Sequence, residues 1–151
     1  MDESKPIIGV SACLLGEACR HDGDDADRPA VRRACAGHTV VPVCPEVLGG
    51  MGTPRPPVHF LTGDGATALA VESGIVDDSG VERTEAMIAG ARIALQRILD
   101  AGASRVILKE RSPSCGVRCV HHADQVVPGI GVFAALLRQH DVQIMSDEEV
   151  G

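Results

Sequence analysis

Short apolar runs alternate along this chain with amphipathic segments, and this alternation most restricts how the chain can fold. Apolar runs typical of buried strands lie at 6–12, 38–43, 104–109 and 142–145. Helical patterns lie at 27–37, at 81–101 and from 131 onward, and Gly102 follows the longest of them. Strands that alternate with helices form mostly parallel sheets through right-handed crossovers. The pattern therefore predicts an α/β fold with helices flanking a parallel sheet.

Two segments interrupt the alternation. Residues 45–57 are so rich in Gly and Pro that we predict neither a helix nor a strand there. Residues 58–73 alternate loosely around Thr62-Gly63-Asp64-Gly65, which predicts a hairpin or an insertion at the sheet edge. With 151 residues and 44% hydrophobic content, the chain has the length and the apolar material of one domain. We expect residues 1–151 to form a single domain around a Rossmann-like sheet.

The composition excludes several classes of function. The chain has two Phe, no Trp, no Tyr and a net charge of −7. Nonspecific nucleic-acid binding is not expected, because it needs a basic face and aromatic stacking platforms. The start of the chain, with Asp2 and Glu3, is unlike a signal peptide, and no run of about 18 apolar residues predicts a membrane span. We expect a cytoplasmic protein with no membrane partner, and the sequence leaves its oligomeric state open.

Six cysteines in a cytoplasmic chain need an explanation other than structural disulfides. Cys13 and Cys44 directly follow predicted strands, and Cys115 lies a short loop beyond a third strand. The carboxyl ends of parallel strands share one edge of a sheet, where open α/β folds bind ligands. We therefore predict that the three thiols converge. They could be ligands of an iron–sulfur cluster or a soft metal, or buried packing residues.

Three thiolates would leave one iron of a four-iron cluster without a protein ligand. Such an open iron can bind and polarise a substrate as a Lewis acid, as the open position of a catalytic zinc does. Cys35 lies late in a predicted helix and is expected to pack in the core. Cys19 and Cys119 could supply a fourth ligand, or join a zinc site with His21, His121 and His122. The chain has no C-x2-C pair of the kind common in structural zinc sites.

Four sequence blocks follow one another along the chain: SACLLGEACRHDG at 11–23, CPEVLGGMGTPRPP at 44–57, LKERSPSCG at 108–116 and GIGVFAALL at 129–137. Together they resemble the TudS-type thiouracil desulfidases, a bacterial family. The resemblance implies an α/β fold that carries a [4Fe-4S] cluster on Cys13, Cys44 and Cys115. It also implies that the fourth iron takes the sulfur of a small thiolated base of the 2- or 4-thiouracil type. Water then converts C=S to C=O and sulfide leaves, with no net redox change.

Polar residues in these blocks are the candidates for catalysis and substrate binding. Glu46 of Cys-Pro-Glu and Ser112 of Ser-Pro-Ser-Cys match residues that the family uses near its substrate. We expect Glu46 to move protons between the attacking water and the leaving group, and Ser112 to hydrogen-bond the substrate or orient water. Arg55 and Lys109 are expected to be cationic substrate-binding partners. His21 stands where the family usually has an aromatic residue, and we expect it to contact the substrate.

Two other functions would use the same residues. A non-enzymatic iron–sulfur or zinc module that senses redox state or metal needs a fourth protein ligand, Cys19 or Cys119. A structural zinc protein would include His21 or His121 among its ligands. The stretch 117–127 also departs from the family pattern, which leaves the substrate open.

Overall fold

The computed structural model describes residues 5–150, in which strands and helices alternate as the sequence predicts. In chain order the elements are β1 (Ile7–Ser11), a 3-10 turn (Ala12–Leu15), α1 (Pro29–Ala34), β2 (Thr39–Val43), α2 (Pro45–Leu48), β3 (Val58–Phe60), α3 (Gly65–Val71), β4 (Ile75–Asp77), α4 (Thr84–Ala101), β5 (Arg105–Leu108), β6 (Cys119–His122), β7 (Gln125–Pro128), α5 (Val132–Gln139), β8 (Gln143–Ser146) and a second 3-10 turn (Asp147–Glu149). The predicted strands and helices are present, with bounds that shift by at most three residues.

Four parallel strands form the central sheet in the order β2-β1-β5-β8. On one face, Val106 and Leu108 pack against residues of α4 and α5. On the other face, Ile8 and Ile107 pack against α1 and the first 3-10 turn. Successive strand residues point to opposite faces, so the neighbours Val106 and Ile107 lie in different parts of the core. The prediction of an α/β fold with a mostly parallel sheet flanked by helices is confirmed.

Two small antiparallel sheets lie outside the central sheet. The insertion predicted at 58–73 is the pair β3 and β4, with α3 between the two strands. Asp64 caps α3 by accepting hydrogen bonds from the N–H groups of Ala66 and Thr67, so the turn signal at 62–65 starts a helix. The β6-β7 hairpin was not predicted. At its turn Ala123 has a φ of 52°, without the glycine that usually marks such a turn in a sequence.

The prediction of no regular structure at 45–57 is wrong for Pro45–Leu48, which form α2. Pro45 occupies a position in the first turn, where the missing N–H has no intrahelical partner to lose. The Gly and Pro content that suggested an irregular segment is concentrated after this turn, in residues 49–57.

Two glycines let α2 and α4 touch through their backbones. A Cβ on Gly90 would lie 1.8 Å from the carbonyl oxygen of Pro45, and one on Gly49 would lie 2.2 Å from that of Ala86. Both distances are far below van der Waals contact, and backbone atoms cannot rotate aside as a side chain can. The contact fixes α2, and the residues that begin it, against the longest helix of the protein.

We predict that Gly90→Ala destabilises the protein. Helix propensity alone predicts a gain of about 1 kcal/mol, because alanine replaces glycine inside a helix. The clash with Pro45 should reverse the sign and lower the free energy of unfolding by about 1–3 kcal/mol, measured by urea denaturation. The control is Ala89→Gly at the exposed neighbouring position, which should cost only the propensity difference. A Gly90→Ala variant more stable than the parent would show that α2 moves freely away from α4.

Between residues 5 and 150, no helix is both long enough and apolar enough to cross a bilayer. Asp2 and Glu3, on which the signal-peptide prediction depended, lie outside the described residues.

Candidate functional site

The carboxyl ends of β1, β2 and β5 open into a cavity of about 460 Å³. From β1 the chain passes to β2 on one side and later returns to β5 on the other. Ligands bind at such a switch point in open α/β sheets. All eight site residues predicted from the sequence line this cavity: Cys13, Cys44, Cys115, Glu46, Ser112, Arg55, Lys109 and His21. The structure thus brings the three cysteines together as expected and places the other five residues at the same cavity, and the role of each residue stays a prediction.

Each of the three predicted ligand cysteines comes from a different connection. Cys13 lies in the 3-10 turn after β1, Cys44 is the residue before α2, and Cys115 lies in the loop after β5. Each is a free thiol, as are the other three cysteines. The cavity therefore holds unpaired sulfur donors from segments far apart in the sequence.

Cys19 is a fourth thiol on the cavity wall. Its hydrogen bond with Cys13, together with burial, raises the pKa of the Cys19 thiol to about 11. The hydrogen bond with Cys19, followed by burial, raises the pKa of Cys44 well above its ordinary value. Burial raises the pKa of Cys115 to about 12. Cys19, Cys44 and Cys115 are thus neutral thiols at pH 7, and a metal that binds them as thiolates would release protons.

The remaining candidates for a metal site do not assemble. Cys119 points at Glu110, with its Sγ 3.9 Å from Oε1, and is not part of the cavity wall. His122 lies with Nε2 2.6 Å from the carbonyl oxygen of Gly63. Among residues 5–150, no three His, Cys, Asp or Glu side chains close on the position of a single ion. Cys35 is buried at the end of α1, as expected for a packing residue.

Glu46 is held by Arg55 inside the cavity. Arg55 Nε donates to Glu46 Oε1 at 3.1 Å, and the two side chains are 4% and 13% exposed. The other two guanidinium nitrogens donate to the carbonyl oxygens of Gly52 and Cys19, each at 2.8 Å, and one of them also to Thr53 Oγ1. Every nitrogen of the guanidinium therefore has a protein acceptor. Arg55 fixes the carboxylate and the loop around it.

Ser112 and Ser114 carry a second set of contacts to this carboxylate. Ser112 Oγ accepts hydrogen bonds from the N–H groups of Ser114 and Cys115, which closes the loop into a tight turn. Ser114 Oγ donates to Glu46 Oε2 at 3.2 Å. The sequence prediction chose Ser112 and missed Ser114, although both belong to the same Ser-Pro-Ser-Cys run.

Glu110, which the sequence prediction also missed, anchors the carboxyl-terminal end of the loop between β5 and β6. Its Oε1 accepts hydrogen bonds from the N–H groups of Val117, Arg118 and Cys119 at 2.7, 2.9 and 3.2 Å. Burial alone would raise the pKa of Glu110, but these N–H donors and the side chain of Ser146 outweigh it and lower the pKa to about 2. Lys109 donates from Nζ to the carbonyl oxygen of Glu110 at the cavity wall.

The loop also docks on the start of α5. The carbonyl oxygens of Pro113 and Ser114 accept hydrogen bonds from the N–H groups of Val132 and Phe133 at 2.9 and 2.8 Å. These N–H groups have no partner within their own helix, so the loop satisfies them. The backbone that carries Cys115 is consequently held at both ends.

His121 of the β6-β7 hairpin lines the cavity as well. Burial, followed by the positive charges of Lys109 and Arg111, lowers the pKa of its imidazole. His121 is therefore neutral at pH 7 and adds no positive charge to the wall.

We predict that Glu110→Gln destabilises the protein by about 2 kcal/mol, because an ionised acceptor of several buried hydrogen bonds is lost. The pKa of Glu110 is depressed in the folded state, so its contribution is fully present above about pH 4.5 and disappears as the pH falls toward 2. Denaturation curves recorded across that interval should show a steeper loss of stability in the parent than in the variant.

The matched control for this prediction is Glu85→Gln, on the exposed first turn of α4. It should leave both the stability and its pH dependence within about 0.5 kcal/mol of the parent. Equal stabilities of the parent and Glu110→Gln at pH 7 would contradict the anchoring role of Glu110.

Four free thiols and a hydrogen-bonded carboxylate at the switch point of a parallel sheet define the class: an α/β protein whose pocket is lined by soft sulfur donors. The 2-thiouracil desulfurase family matches residues 8–149, and the chain belongs to this family. It is 38% identical over 147 residues to the uncharacterized protein YbbK of Bacillus subtilis (strain 168), an alignment that covers 95% of this chain and 97% of YbbK.

A solved structure also resembles the chain over nearly its full length. This structure is the [4Fe-4S]-dependent thiouracil desulfidase TudS, with a TM-score of 0.83 and 34% sequence identity. The match covers 97% of this chain and 93% of TudS. The similarity to TudS therefore extends over the central sheet and the loops that carry the three cysteines.

Proposed function

We propose that this chain is a [4Fe-4S]-dependent thiouracil desulfidase. It converts the C=S group of a small thiolated pyrimidine, of the 2- or 4-thiouracil type, to C=O. One water enters and hydrogen sulfide leaves, so the reaction has no net redox change. The observation that supports this most strongly is the meeting of Cys13, Cys44 and Cys115 with Glu46 around one cavity. The structural similarity to the [4Fe-4S]-dependent thiouracil desulfidase TudS supports the cofactor and the substrate class.

The donor set fits an iron–sulfur cluster. Thiolates are the usual ligands of such clusters, and these three come from separate loops with no disulfide between them. When bound, the cluster supplies an iron without a protein ligand, which can act as a Lewis acid toward the sulfur of the substrate. Because the pKa values of Cys44 and Cys115 are raised, loading of the cluster is expected to release protons.

The polar residues of the chain supply the proton transfers and the positioning. Glu46 is held at both carboxylate oxygens yet still reaches the cavity, so it can accept a proton from water and return it to the leaving sulfur or to a ring nitrogen. Lys109 adds positive charge, and Ser112 and His21 line the space where the pyrimidine would lie. The free thiols are consistent with action in the reducing cytoplasm.

A non-enzymatic sensor is the second candidate, and Cys19 is the observation that favours it. A fourth thiol beside Cys13 and Cys44 could close a cluster or another metal centre with protein ligands alone. The position of Cys119, turned toward Glu110, leaves Cys19 as the cysteine for this role. The two candidates differ in whether Cys19 is needed to hold the cluster.

The first prediction of the proposal concerns cluster retention. Cys13→Ala, Cys44→Ala and Cys115→Ala should each lose the cluster, because each removes one of its ligands. Protein purified without oxygen and analysed for iron and inorganic sulfide measures this directly. Cys35→Ala is the matched control and should keep the parent's iron content, since Cys35 is buried in the core and does not line the cavity.

Cys19→Ala decides between the two candidate functions. The desulfidase proposal expects this variant to keep its cluster. Loss of iron from Cys19→Ala as complete as from Cys44→Ala would instead favour the sensor. A parent protein that carries zinc and no iron or sulfide would contradict both iron–sulfur alternatives.

A second prediction concerns Glu46. Glu46→Gln should keep the cluster and lower the rate of sulfide release from 2- or 4-thiouracil by about 10²–10⁴-fold, the range for loss of a general acid–base group. Turnover followed by sulfide release, next to iron analysis of the same sample, separates chemistry from cofactor loss. Glu85→Gln on the exposed face of α4 is the control and should turn over like the parent. Unchanged turnover in Glu46→Gln would remove Glu46 from the reaction.

A further inference from the structure

Ser114 occupies a rigid position in the loop between β5 and β6. Its side chain is buried, with the whole residue 2% exposed. Its N–H donates to Ser112 Oγ, and its carbonyl oxygen accepts from the N–H of Phe133. A Cβ on Gly131 would lie 2.5 Å from the carbonyl carbon of Ser114, so α5 packs directly on this backbone. The position of the Ser114 hydroxyl is therefore fixed by the packing of its backbone.

Three polar atoms surround that hydroxyl. Ser114 Oγ lies 2.9 Å from Ser112 Oγ, 3.2 Å from Glu46 Oε2 and 3.5 Å from Cys115 Sγ. Ser112 Oγ already accepts two backbone N–H groups, so its own proton is available for Ser114. The proton of Ser114 is then free for the carboxylate or the sulfur, which lie on the cavity side.

Arg55 and Ser114 donate hydrogen bonds to different oxygens of the Glu46 carboxylate. Arg55 holds Oε1 and Ser114 holds Oε2, so the plane of the Glu46 carboxylate is defined by two contacts. If the Ser114 contact were absent, the carboxylate could rotate about the remaining bond to Arg55. Reacting groups displaced by about 1 Å can lose about 10²-fold in rate, which makes this second contact important.

We propose that Ser114 is a positioning residue that ties Glu46 to the proposed cluster ligand Cys115. This inference rests on the proposed desulfidase function. Through its hydroxyl, Ser114 orients the carboxylate by the oxygen that Arg55 does not hold and places a hydrogen-bond donor against the sulfur of Cys115. Hydrogen bonds to cluster sulfurs are among the factors that set the reduction potential of an iron–sulfur centre. Because the hydroxyl has a single proton, Glu46 Oε2 and Cys115 Sγ share it, and Ser114 couples the carboxylate to the cluster through this shared proton.

The test compares Ser114→Ala with Ser114→Thr, which restores a hydroxyl, and with Ser104→Ala at an exposed position as the control. Each variant is purified without oxygen, and iron content, the reduction potential of the cluster, kcat and KM are measured. Ser114→Ala should keep its iron, shift the potential to a more negative value and lower kcat by about 10- to 100-fold with KM within about 2-fold of the parent. Ser114→Thr should recover most of the kcat and the potential, and Ser104→Ala should match the parent.

Two results would overturn the inference. One is an unchanged reduction potential in Ser114→Ala. The other is a shifted potential with unchanged kcat, because Ser114 would then not be needed to orient the Glu46 carboxylate. If Ser114→Ala loses its iron, the Ser114→Thr variant tests the inference instead. A reduction potential and kcat close to those of the parent support the inference, and values far from the parent's overturn it. A parent that holds a cluster but releases no sulfide from thiouracil refutes the proposed function, whereas the potential of Ser114→Ala still tests the contact with Cys115.

Discussion

Parallel pairing of β1 with both β2 and β5 is the interaction on which the rest of the site depends. Each of these strands ends at the same edge of the sheet, so the residues that follow them are neighbours in space. Cys13, Cys44 and Cys115 share no local spacing motif, and the pairing alone brings them to one cavity. Two further contacts hold two of the three segments in place. One is the glycine contact between α2 and α4, and the other is the docking of the loop between β5 and β6 on α5.

Two carboxylates near the cavity, those of Glu110 and Glu46, differ in their hydrogen-bond donors and in the roles proposed for them. Glu110 is 1% exposed, and several backbone N–H groups donate to its Oε1, so it is an anchor that stays ionised. Glu46 has one guanidinium partner and one hydroxyl partner and keeps access to the cavity. A carboxylate with many fixed donors is held too strongly in the ionised form to exchange protons at neutral pH. The difference in donors therefore separates a structural acid from the proposed proton-transfer group.

The features predicted correctly are those that depend on neighbours in sequence. Apolar runs and helical periodicity located the strands of the central sheet and α4, and the strand ends located the three cysteines. The features that were missed depend on contacts distant in sequence or on weak local signals. Ser114 is defined by its bond to Glu46, 68 residues away, and Glu110 by the N–H groups across its own loop. The β6-β7 turn has no glycine, and α2 is a single turn started by a proline.

The β6-β7 hairpin has a consequence for how such a pocket can diversify. It pairs with no strand of the central sheet, yet its His121 and Ala123 form part of the cavity wall. Its base is tied to Glu110 through the N–H of Cys119, and its turn is distant in sequence from the segments that carry Cys13, Cys44 and Glu46. Replacements near the turn can therefore reshape the space offered to a ligand without disturbing the thiols or the clamped carboxylate. The hairpin is thus a part of the cavity wall whose sequence can vary while the residues around Cys13, Cys44 and Glu46 stay the same.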